Sequence, residues 1–149
     1  MSNPRNVNWF KDLDKVFGAK FKKICAGIIV KDVKDGLDTG TGTGSSKLKK
    51  LSPNTIRRKK KKGYSKPSKA LIATGTMRKL PPVTMNGKEA EIKVAKSRSA
   101  IAKYHNEGLG NPKREWFSVS ERAREKIGRA IGKKVVHILK RNFKLPNKL

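Results

Sequence analysis

The chain has 149 residues, enough for a single domain (1–149), yet only 35% of them are hydrophobic and 6% aromatic, a thin supply for a self-sufficient core. Lys and Arg number 38 against 11 Asp and Glu, a formal net charge of +27, so the chain repels itself when compact and suits polyanions: nucleic acid first, acidic protein surfaces second. One cysteine, Cys25, excludes an intrachain disulfide and a thiolate zinc cluster.

The longest apolar run, residues 26–30, is far too short to span a bilayer, and residues 1–8 are polar where a secretory signal needs an apolar stretch. A soluble protein made in a cytoplasm, with no membrane partner, is the expectation. In chain order, Trp9, Phe10, Leu13, Val16, Phe17, Phe21, Ile24 and Ile28 fall at the three-and-four spacing of a helical face. Asn6 or Asn8 is a suitable cap and Gly36 a stop. Cys25 reads as a small apolar residue on that helix. Residues 39–46, Thr-Gly-Thr-Gly-Thr-Gly-Ser-Ser, read as a linker, and the flanking residues lack the order that a phosphate-binding loop needs. Residues 37–69 are therefore expected to form a flexible basic insertion.

Between Lys47 and Lys69 stand eleven cations and no acid. Ser52-Pro53 supplies an N-cap and a first-turn proline for a short helix that Gly63 ends. The six consecutive cations Arg57, Arg58, Lys59, Lys60, Lys61 and Lys62 then occupy every side of it. They form either a solvated arm or a contact for nucleic acid or another polyanion. Leu71 and Ile72 suggest a further short helix turning at Gly75, which Pro81 and Pro82 stop. Asn86-Gly87 between Val83-Thr84-Met85 and residues 90–94 signals a β-hairpin that needs other elements to stabilise it. Residues 101–120 form a junction dense in residue types rare elsewhere in the chain. Ser118 and Glu121 then have capping-box spacing, and Ala123, Ile127, Ala130, Ile131, Val135, Ile138 and Leu139 stripe a last helix whose other face carries Arg122, Lys126 and Arg129. The fold class is α+β: long N- and C-terminal amphipathic helices around a small antiparallel hairpin, with the basic Gly/Lys-rich insertion between them.

Neither His105 nor His137 has carboxylates at metal-ligand spacing, and no Ser-His-Asp or Cys-His arrangement is evident. A relay through Tyr104, His105 and Glu107 lacks a nucleophile and an anion hole. The residues thus point away from an enzyme and call for no cofactor, metal or catalytic group.

Four stretches in order carry a resemblance. They are Leu51-Ser52-Pro53-Asn54-Thr55-Ile56, Thr74-Gly75-Thr76-Met77-Arg78, Ile101-Ala102-Lys103-Tyr104-His105-Asn106-Glu107-Gly108 and Lys113-Arg114-Glu115-Trp116-Phe117-Ser118-Val119-Ser120. Together they resemble the landmarks of the virion morphogenesis, or tail completion, family of tailed bacteriophages, over roughly residues 51–130. Met77 stands where that family usually has Leu and Trp116 where it has Phe; the Thr-Gly stretch and the Lys run are not part of its pattern. The resemblance implies a non-enzymatic virion protein at the neck or tail end, made in the host cytoplasm and working as one copy in a homo-oligomeric ring. Its partners would be other neck or tail proteins, with DNA in the channel. Thr74, Gly75, Tyr104, His105, Gly108, Arg114, Trp116 and Phe117 would then be architectural, a packing corner and the anchor of the last helix. Charge alone also suits another class, a small nucleic-acid-binding protein of ribosomal or nucleoid type.

Overall fold

The structure is a computed structural model that describes residues 17–43, 47–80, 82–87 and 89–143, with side chains in the last helix described through Arg141. Helix α1, Ala19–Thr39, buries Phe21, Ala26, Val33 and Leu37 along one face, while Ile24, expected on that face, is exposed. Trp9, Phe10, Leu13, Val16 and the caps Asn6 and Asn8 lie outside the described residues. The helix runs past the expected stop. Gly36 is buried within it, and a Cβ there would sit 2.8 Å from the Thr41 carbonyl oxygen. Gly40 (φ +74°) ends the helix, its N–H donating to the Gly36 carbonyl.

Helix α2, Pro53–Lys61, begins as expected: Ser52 Oγ accepts from the Thr55 N–H at 3.3 Å with Pro53 in the first turn. Leu71 and Ile72 form no helix. Leu71 takes a left-handed φ of +59°, and the helical turn that follows is a 3₁₀ segment, Thr76–Arg78, entered through Gly75 at φ +78°. Strands β1 (Thr84–Asn86) and β2 (Glu89–Glu91) pair antiparallel, with Met85 opposite Ala90. The ladder is shorter than expected: Asn86 pairs with Glu89, and Ile92 and Val94 lie beyond it. This hairpin packs on α1. A 3₁₀ turn, Lys96–Arg98, leads into helix α3, Ser99–Glu107, and helix α4, Glu121–Phe143, packs along α1. The molecule is thus a small α+β domain in which several helices flank a two-stranded hairpin.

Val33, Leu37, Met77, Leu80, Ala102 and Trp116 make the core cluster, with Leu48, Val94 and Phe117 among the half-buried side chains around it. A polar lock holds α4 to α1. Asp32 is buried; its Oδ2 accepts from Ser120 Oγ at 2.5 Å and its Oδ1 lies 3.3 Å from Arg122 Nε. Ser120 Oγ also accepts from the Ala123 N–H at 3.0 Å, which makes it the N-cap of α4 in place of the Ser118–Glu121 box. The same lock draws Arg122, expected on the wet face, onto α1. A buried carboxylate is tolerable only when bonded in this way.

Several described residues of the 37–69 stretch are packed into the domain. Leu37 is buried in α1, Thr41 bridges Lys47, and Thr43 is buried with its N–H donating to the Glu115 carbonyl at 3.1 Å. Gly42 passes so close to that carbonyl that a Cβ would collide with it. Gly36 and Gly42 thus serve close packing rather than slack.

Candidate functional site

The residues singled out in the sequence separate into a corner and a basic face. In the corner, Arg114 is buried with no carboxylate partner among the described residues. Its guanidinium donates instead to three carbonyls: Lys49 at 2.9 Å, Lys50 at 3.2 Å and Pro112 at 3.4 Å. The Arg114 N–H donates to the His105 carbonyl at 2.7 Å. The planar fork thereby ties the segment leading into α2 to the end of α3. Burial lowers the Arg114 pKa.

Asn106, which lies in the third landmark stretch but is not singled out there, completes the corner. Its Oδ1 accepts from the N–H groups of Trp116 at 3.0 Å and Phe117 at 3.2 Å, satisfying two donors of an irregular segment. The only signal in the sequence was an Asn, a weak helix former, in the last turn before Gly108. Gly108 ends α3 at φ +82°, with its N–H on the Tyr104 carbonyl. A Cβ there would lie 2.9 Å from Lys113 Cβ. Gly108→Ala is therefore expected to cost about 1–3 kcal/mol of unfolding free energy in urea titration; an unchanged midpoint would show that the turn relaxes freely.

Trp116 is buried and Phe117 half-buried, their rings 5.4 Å apart. Tyr104, expected in the corner, instead exposes half of its side chain; its backbone carbonyl does the structural work. His105 lines a cavity of about 300 Å³ together with Leu51, Thr55, Thr74, Gly75 and Ile101. Its Nδ1 is buried with no hydrogen-bond partner among the described residues, and its pKa is lowered by burial and, secondarily, by the charge of Arg114.

The basic face is helix α2. Arg57, Arg58, Lys60, Lys61 and Lys62 are exposed and form no ion pair among the described residues. Lys59 departs from them. Its Nζ donates to the carbonyls of Lys69 at 2.6 Å, Ile72 at 2.5 Å and Lys66 at 3.4 Å, and burial lowers its pKa. It holds the loop after α2 and does not belong to the exposed cations.

Cys25 is half-buried on α1, its thiol pushed up in pKa by burial, which disfavours the nucleophilic thiolate. Among the described residues no group of three or more His, Cys, Asp or Glu side chains could hold a metal ion, and no described helix is long and apolar enough to cross a membrane. No known protein family, no curated protein and no solved structure matches the chain.

Proposed function

We propose that the chain is a structural virion protein of a tailed bacteriophage that acts in tail completion or head–tail joining as one subunit of a ring. The observation that carries this reading is the convergence of the four landmark stretches. Three of them, through Leu51 and Thr55, Thr74 to Met77, and Ile101 and His105, line one cavity, and Arg114 of the fourth binds the backbone just before the first. Residues up to 65 positions apart thus form one architectural unit, which supports a scaffold role for them. The surface supports assembly: in a chain poor in apolar residues, Ile101, Tyr104, Leu109, Val119, Ile131 and Val136 remain exposed, apolar area that symmetric neighbours could bury. The test is assembly of particles with the gene for this chain removed. Electron microscopy is expected to show separate heads and tails, rejoined when the chain is supplied; intact, infectious particles without it would overturn the reading.

The exposed cations of α2 favour a second role, contact with DNA in a channel or with another polyanion. Lys suits sliding contact because it neutralises phosphate without reading bases. Replacing Arg57, Arg58, Lys60, Lys61 and Lys62 with Gln is expected to flatten the slope of log affinity for duplex DNA against log salt by about one unit for each phosphate left unneutralised. Lys59→Gln should leave that slope unchanged and lower the melting temperature. An unaltered slope in the five-fold variant would exclude α2 as the DNA-binding face. The same binding without any particle phenotype would favour the alternative class, a small nucleic-acid-binding protein.

A further inference from the structure

A second concavity, separate from the motif cavity, lies between the segment after β2, helix α3 and Phe117. It encloses about 540 Å³. Val94, Ala102 and Phe117 give it an apolar lining, and Lys93, Lys96 and Lys103 contribute cations beside them. Lys93 is held by Glu91 at 2.8 Å, whereas Lys96 and Lys103 are exposed and their ammonium groups have no partner among the described residues. Glu107 is the one acid in the lining. Asn106 also lines it. Its Oδ1 is committed to the Trp116 and Phe117 N–H groups, so its Nδ2 remains a free donor among the described residues.

We infer that this groove is a docking site for an acidic segment of a different protein, anchored by one or two large apolar side chains. The apolar lining gives the anchor a dry seat. The two unpaired lysines and the Asn106 donor would meet carboxylates and backbone carbonyls flanking it. Charge complementarity argues against a second copy of this chain, whose acids number 11 against 38 cations. In a virion such a partner would be a neighbouring component, but the inference does not rest on the ring reading: it is measured on the isolated chain, the ring reading on particles.

The probe is a fluorescein-labelled peptide, Asp-Glu-Asp-Phe-Glu-Leu-Asp, titrated by anisotropy against the full chain at about 0.15 M salt, where distant charges are largely screened. Saturable one-to-one binding is expected. Lys96→Glu with Lys103→Glu should weaken it about tenfold, because the reversed charges flank the seat. Lys126→Glu with Lys133→Glu, the same change of net charge on the exposed face of α4, should change it by less than about twofold. A peptide with Ala in place of Phe and Leu should bind about tenfold more weakly. Circular dichroism checks that both variants remain folded. Equal weakening by the two double variants would reduce the binding to general attraction and overturn the inference. So would equal binding of the Ala peptide, the absence of saturable binding, or a groove variant that alters only the chain's own sedimentation.

Discussion

Trp116→Ala is expected to lower the unfolding free energy by about 3–5 kcal/mol, a large part of what a domain of this size possesses. Trp116 is 2% exposed and belongs to the core cluster that joins α1, the Met77 turn and α3. Its removal leaves a cavity at the meeting point of elements with few other large side chains to refill it. Trp116→Phe should behave differently. The indole Nε1 is buried with no acceptor among the described residues, so Phe loses volume but also removes an unpaired donor, and the two effects, each of about 1–3 kcal/mol, oppose one another. Urea titration followed by far-ultraviolet circular dichroism should place Trp116→Phe within about 1 kcal/mol of the parent chain. If Phe proved as damaging as Ala, the indole N–H would have to be making a bond that stabilises the fold.

Arg114→Ala should cost about 2–4 kcal/mol by loss of the bonds to the Lys49, Lys50 and Pro112 carbonyls. Arg114→Lys should recover only a fraction, since one ammonium cannot reproduce the fork. A pH signature separates this role from simple packing. His105 has its pKa lowered by burial first and by Arg114 second. The unfolded chain therefore binds the His105 proton more readily, and stability falls as pH drops through the ordinary histidine range, near 6.5, and is regained above it. Arg114→Met keeps the bulk and removes the charge, so its stability loss between about pH 7 and pH 5 should be smaller than that of the parent chain. An unchanged pH dependence in Arg114→Met would show that burial alone governs His105.

Elements written into local pattern were legible in the sequence, and tertiary approach explains the rest. Ser52 and Pro53 started α2 where they stand because capping is a local event. The Asn86-Gly87 signal located the hairpin, but Asn86 itself belongs to the first strand, since it pairs with Glu89. Gly36 reads wrongly as a stop because its real use, admitting the Thr41 carbonyl against the helix, depends on a fold-back further along the chain. Gly42 and Thr43 likewise looked like slack in a repetitive stretch until Glu115 arrived beside them. Ser120 displaced Ser118 as the cap through its bond to Asp32, a partner 88 residues away. At the candidate site, Lys59 could not be told from its neighbours because only the loop that returns over it supplies the carbonyls that draw it inward. Asn106 likewise gains its role from the irregular segment packed against α3.

Those long-distance ties bear on the order in which the protein can be built. The Arg114–Lys49, Thr43–Glu115 and Asp32–Ser120 bonds close loops of 65, 72 and 88 residues, and each ordering cost precedes its reward. During synthesis α1 and the cationic α2 leave the ribosome long before Trp116 and Ser120 exist to hold them. Until then the earlier core residues Val33, Leu37, Met77, Leu80 and Ala102 lack the indole and the long-range bonds that complete their packing, so the ties to residues 114–120 are expected to form late in folding.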